Sequence, residues 1–233
     1  MLSIQLPPPS FEEVGFQPEA EYRRTLAPGS APPLLERLSF TRPVVVPLRA
    51  DQAQSDPRIA AYFAERAAET RFSLVSLTFG LAPASDEPIT LAVIEVALDA
   101  AGAATPPAVI DMDPDKITDT SQLKSSLEGG VNLELSGGKL GFTVKHTAER
   151  PGSELFLVAA GIGNQRVGWE VSETPGMKIG GKLVLNLIVQ TAVGTPATGR
   201  ITTTLQVRRK HFGLIPYRAL LDDHPSGQFV CDG

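Results

Sequence analysis

The most constraining feature is a pair of runs in which apolar and polar residues alternate one by one. In Lys182-Leu-Val-Leu-Asn-Leu-Ile-Val-Gln190, residues Leu183, Leu185, Leu187 and Val189 fall on one side, and Lys182, Asn186 and Gln190 on the other. Arg200 to Arg208 repeats the pattern, with Ile201, Leu205 and Val207 opposed to Arg200, Thr202, Thr204, Gln206 and Arg208. A side-chain period of two belongs to a pleated strand with one face in a core and one in water. Thr195-Pro-Ala-Thr-Gly199 reads as the turn between them.

The same period recurs upstream. Lys139 to Lys145 places Leu140, Phe142 and Val144 inward, and Arg166 to Ser172 places Val167, Trp169 and Val171 inward. Glu154 to Ala160 is apolar on both faces and reads as a central strand covered on both sides. Short connections favour antiparallel neighbours, because a parallel pair needs a long crossover. The expected arrangement is a meander or Greek key. Gly-Gly-Lys-Leu occurs at both 137–140 and 180–183, and paired glycines ahead of strands account for the repeat without a duplicated hairpin.

Residues 1–50 are rich in proline, with Pro7-Pro8-Pro9, Pro32-Pro33, Pro43 and Pro47 among others. Proline lacks an N–H and holds its neighbour extended, so long helices and central strands are not expected there. Apolar residues still punctuate the stretch, including Leu6, Phe11, Phe16 and Tyr22, which a disordered linker would lack. The reading is an extended arm that packs against its own domain or a neighbouring subunit. Within it, Leu34 to Leu38 is expected to form a helical turn and Val44 to Val46 an edge strand.

A domain of residues 51–211 follows. Asp56 and Pro57 are N-terminal helix signals, and Ile59, Tyr62, Phe63, Arg66 and Ala67 recur at helical spacing, so a helix is expected over 57–70. Strands are expected from Phe72 to Phe79, with a bulge or burial on both faces, and from Ile89 to Asp99. Residues 100–130 read as an insertion with a weak helix from Asp113-Pro114, ended by Gly129-Gly130. Residues 212–233 carry enough apolar side chains to dock as a tail. The expected fold is mainly β: an antiparallel β-sandwich, jelly-roll or immunoglobulin-like, of about eight or nine strands with one short inserted helix and the proline-rich arm. A distorted barrel is the alternative.

Charge and motifs then narrow the function. The net charge is −5 with both signs interspersed, which disfavours nucleic acid; the one basic cluster is Arg208, Arg209, Lys210 and His211, at a strand end. No apolar run reaches the ~18 residues of a spanning helix. The N-terminus lacks the charges and cleavage site of a secretory signal, so the expected location is the cytoplasm or a macromolecular assembly. The lone Cys231 excludes an internal disulfide framework and a cysteine zinc cage.

Asp111, Asp113, Asp115 and Asp119 have the opening spacing of a calcium loop, but Lys116 and Gln122 stand where its glycine and glutamate belong. They are the candidate metal ligands. Gly161-Ile-Gly163 lacks the third glycine and following helix of a dinucleotide site and reads as a hairpin turn. Ser121-Gln-Leu-Lys124 lacks the companion motifs of a Ser-x-x-Lys nucleophile, and His146, His211 and His224 have no ligand spacing.

No catalytic residue or cofactor is expected. The function expected is that of a non-enzymatic structural or interaction protein, a subunit of a larger assembly with protein partners. The candidate interaction residues are Leu6, Phe11, Phe16, Tyr22, Arg208, Arg209 and Lys210. The alternatives are a module binding a peptide or small ligand, and a metal-assisted hydrolase.

Overall fold

Strand alternation is realised as two antiparallel sheets that share one core. The computed structural model describes residues 2–3, 11–16, 34–49, 57–83, 87–119, 132–133, 155–211, 215–220 and 224–232. The strands are β1 (Leu2–Ser3), β2 (Phe11–Phe16), β3 (Leu34–Thr41), β4 (Val44–Leu48), β5 (Thr70–Leu81), β6 (Ile89–Asp99), β7 (Ala108–Asp113), β8 (Lys116–Thr118), β9 (Asn132–Leu133), β10 (Leu155–Ala160), β11 (Arg166–Ser172), β12 (Gly181–Ala192), β13 (Ala197–His211), β14 (Ile215–Leu220) and β15 (His224–Cys231). Among the described residues one helix, α1, spans Pro57–Arg66.

The helix-side sheet has the order β2-β3-β5-β12-β7, with β4 also on β5; the opposite sheet runs β14-β13-β6-β11-β10-β8, with β15 also on β13. A two-stranded pair, β1-β9, stands apart. The inner faces meet in one core: Val75, Leu77 and Phe79 of β5 and Leu185, Leu187 and Val189 of β12 lie against Ile94 and Val96 of β6, Trp169 of β11 and Leu205 of β13. This is a mainly β, two-layer sandwich with one short helix among the described residues, as the alternation required.

Consecutive strands do not all pair. The expected hairpin of β12 and β13 is replaced by a crossing between sheets: β12 pairs with β5 and β7, and β13 with β6, β14 and β15. The expected turn at 195–199 also moves. It centres on Val193-Gly194, where Gly194 takes φ +76° and the Thr195 N–H donates to Ala192 O at 3.1 Å, so β13 has already begun at Ala197. A few residues suffice to step across the ~10 Å between packed sheets.

The arm region contributes strands. Leu34 to Leu38 belongs to β3 and is not helical: Leu38, Ser39 and Phe40 pair with Leu81, Gly80 and Phe79. Val44–Leu48 is a strand as expected, pairing with Ser76 through Phe72 on the same edge of β5. β3 and β4 are one extended path interrupted at Arg42-Pro43, where proline cannot donate to the ladder. The tail contributes β14 and β15, both on β13.

Three further expectations change. α1 ends at Arg66, a turn short of Thr70, because Thr70 starts β5 and its hydroxyl donates to Arg66 O at 2.9 Å. Asp113-Pro114 does not start a helix; β7 ends there and β8 begins two residues later. β10 is not covered on both faces along its length: it lies one strand from the sheet edge, and burial is confined to Phe156 and Leu157. The Lys139–Lys145 strand, Gly129-Gly130, His146 and the cap at Asp56 lie outside the described residues.

β5 is buried on both faces over Phe72 to Phe79, which resolves the expectation of a bulge or double burial in favour of burial. Its outer face carries a second apolar cluster, in which Phe63 of α1 meets Leu48, Phe72, Leu74 and Ile188. The rings of Phe63 and Phe72 stack at 4.1 Å between centroids, and Tyr62 Oη donates to Gln190 Oε1 at 2.9 Å. The outer face of β12 is therefore not uniformly wet: Ile188 and Asn186 are buried, while Lys182 is exposed.

Candidate functional site

Basic residues end β13 in a ribbon that overhangs its sheet. The last pair between β13 and β6 is Val207 with Ile89, and the Arg208 N–H donates to Pro88 O at 2.9 Å. From there, Arg208, Arg209, Lys210 and His211 pair only with Arg218, Tyr217, Pro216 and Ile215 of β14 among the described residues. Arg208 is the register partner of Arg218. Glu173 pairs with Arg208 and Lys178. Its carboxylate lies 3.3 Å from the Arg208 guanidinium and 2.6 Å from Lys178 Nζ, and the Arg208 side chain remains 45% exposed.

The arm residues sit elsewhere. Phe11 and Phe16 bracket β2, opposite Thr41 and Leu34 of β3, in the helix-side sheet. The basic ribbon belongs to the opposite sheet. Leu6 and Tyr22 lie outside the described residues.

The four aspartates are dispersed by the corner between sheets. Asp111 and Asp113 belong to β7, Asp115 sits at the corner where its Oδ1 accepts the Lys116 N–H at 2.7 Å, and Asp119 follows β8 and packs on Gly176. Among the described residues, no three His, Cys, Asp or Glu side chains gather in a way that would hold a metal. Two of the aspartates instead meet an amide. Register places Ser76, Asn186 and Asp113 in one row across the outer face of the helix-side sheet, and Leu74, Ile188 and Asp111 in the next.

A pocket of about 10 Å³ opens between these rows, lined by Asp111, Asp113 and Asn186 with Leu74, Met112 and Ile188. That volume holds one water. Asn186 is 4% exposed, and its Oδ1 has no hydrogen-bond partner among the described residues. Burial pushes the Asp111 carboxyl up to about 7, and the nearby charges of Asp113 and Asp115 push it in the same direction, against a lowering hydrogen bond from the Met112 backbone. The sequence reading missed Asn186 because alternation assigns it to a solvated face. A polar amide in the middle of Leu183-Val-Leu-Asn-Leu-Ile-Val was the available signal.

Cys231 offers no nucleophile. It is buried in the core, and burial raises its thiol to about 12 despite a hydrogen bond with Ser73. Gly161 and Gly163 form the β10–β11 turn, each at φ +91°, as the hairpin reading required.

No protein-family model and no curated protein matches the sequence. A solved structure described as "Pore forming protein" aligns at 7% identity over 84% of this chain and 85% of that chain, with a TM-score of 0.33. At that score the likeness carries no argument about this chain. No helix among the described residues is long and apolar enough to cross a membrane.

Proposed function

We propose that the chain is a non-enzymatic interaction protein that acts as a subunit of an assembly of its own copies, joined through the β13–β14 ribbon. The observation that carries this reading is the overhang: beyond Pro88 the two strands have no third strand beside them among the described residues. A lone two-stranded ribbon is marginal in water, and its outer backbone groups are a template for another strand. The ribbon is also basic on a chain of net charge −5. Opposite potentials on one molecule favour a head-to-tail contact between copies, with the ribbon of one against an acidic surface of the next.

The test is sedimentation of the full chain across protein concentration, at low and high salt. Association at low salt that weakens with added salt is expected, because contacts between exposed charges are screened. The double variant Arg209→Glu/Lys210→Glu is expected to remain monomeric with an unchanged circular dichroism spectrum. A wild-type chain that is monomeric at every concentration would end this reading.

A further inference from the structure

We propose that residues 127–148 act as an amphipathic β-hairpin whose apolar face enters the hydrocarbon of a lipid bilayer. The alternation at Lys139 to Lys145 has a counterpart just before it, and Gly137-Gly138 joins the two. Val131, Leu133 and Leu135 alternate with Asn132, Glu134 and Ser136, as Leu140, Phe142 and Val144 alternate with Lys139, Thr143 and Lys145. Two glycines suit a tight hairpin turn, and a two-residue turn sets the register. It places Leu135 opposite Leu140, Leu133 opposite Phe142 and Val131 opposite Val144, with Asn132 opposite Thr143 on the other side. The two halves therefore share one apolar face. From Leu127 to Ala148 no Asp, Glu, Lys or Arg falls on it, and His146, towards the root, is its one polar side chain.

The described strands fit such an insertion. β8 and β10 are antiparallel neighbours at one end of their sheet, with Thr118 opposite Leu155, so the chain between them leaves and returns side by side. Carried down from Gly137-Gly138, the hairpin register puts Leu155 opposite Thr120, two positions from its partner Thr118, and an even offset keeps the two faces in phase. Leu155, at this root, is an exposed large apolar side chain. Asn132 and Leu133 form β9, paired with Ser3 and Leu2 of β1, so this part of the sequence takes strand pairing. The two large sheets close one core over each other without the hairpin's apolar face. Its pattern has the length of a spanning strand: about ten alternating residues on each side of a turn, with lipid on one face and water on the other. In lipid a single hairpin leaves its outer backbone groups unpaired, so several copies must close a barrel together. To that extent the inference rests on the assembly reading.

The experiment uses the full chain with phosphatidylcholine vesicles. Leu133→Cys and Phe142→Cys on the apolar face, and Asn132→Cys and Thr143→Cys on the polar face, are each labelled with an environment-sensitive fluorophore; Cys231 is buried and stays unlabelled in the folded chain. Only labelled chains with a wild-type circular dichroism spectrum are used, and two positions per face let one stand in for the other. With vesicles, the labels on the apolar face are expected to gain emission, shift to the blue and be quenched by nitroxide placed on the lipid acyl chains, while those on the polar face do none of these. No response at either face, or the same response at both, overturns the proposal. Sedimentation without vesicles separates it from the assembly reading. A chain that assembles in solution but shows no alternating response overturns this inference alone, whereas an alternating response from a chain that is monomeric in solution supports it and ends the reading of assembly in solution.

Discussion

The indole Nε1–H of Trp169 donates a 2.9 Å hydrogen bond to the carbonyl oxygen of Pro114. Trp169 is fully buried on the inner face of β11, and Pro114 occupies the corner at which the chain leaves β7 in one sheet to become β8 in the other. The single tryptophan therefore fills the core and also ties down the place where a strand path changes layers. Trp169→Phe retains most of the apolar area but leaves the Pro114 oxygen without this donor, at an expected cost of about 1–3 kcal/mol. Trp169→Ala adds a cavity and is expected to cost about 3–5 kcal/mol. Urea unfolding followed by circular dichroism measures both, since these variants lose the chain's only tryptophan fluorophore.

Gly199 and Phe229 form a second constrained pair. They are cross-strand partners of β13 and β15, and a Cβ on Gly199 would overlap the ring of Phe229. An aromatic ring laid over a glycine on the facing strand fills the space that the missing side chain leaves. Gly199→Ala is expected to destabilise the fold by about 1–3 kcal/mol through overpacking. Phe229→Leu, made in the Gly199→Ala background, is expected to cost less than it does alone, and a double-mutant cycle in urea would measure that coupling.

Asp111 is expected to make stability depend on pH. Its folded value is raised from 3.8 to about 7, first by burial and then by Asp113 and Asp115. The folded state therefore holds the proton more tightly than the unfolded chain. The penalty for ionising Asp111 is absent below about pH 4, grows as pH rises, and is complete above about pH 7. In metal-free buffer, the thermal midpoint of Asp111→Asn relative to wild type is expected to be more favourable at pH 8 than at pH 5. A difference that does not change with pH would show that Asp111 ionises in the fold as it does in the unfolded chain.

The helix cover is held mainly by Phe63. Its ring is 2% exposed, stacked on Phe72 and packed with Leu48, Leu74 and Ile188. Phe63→Ala is expected to cost about 3–5 kcal/mol. Hydrogen exchange should show faster opening of the amides of α1 before those of β11 in the central core, because local opening starts where the fewest apolar contacts hold an element.

Much of the fold was legible because a strand's alternation is written locally. Arg166 to Ser172 placed Val167, Trp169 and Val171 inward, and all three are buried there. Helical spacing located α1, although β5 claims Thr70 and ends it early. Leu34 to Leu38 was misread because a short apolar run suits a helical turn or a strand equally, and pairing with Leu81 to Phe79 settles the matter. The basic cluster was visible as composition; its overhang was not, because that depends on where β6 stops.

The sequence by itself determined that the chain is built from strands and which residues turn toward a core, because side-chain period is a property of consecutive residues. It also fixed the turn at Gly161-Ile-Gly163, because glycine tolerates the positive φ found there. Tertiary structure alone decided that β12 lies between β5 and β7 and that α1 covers one end of its outer face. It alone brought Asn186 opposite Asp113, 73 residues earlier in the chain (186 − 113). Alternation specifies the face of a strand and says nothing of its neighbour. That choice is made by packing between residues far apart in sequence.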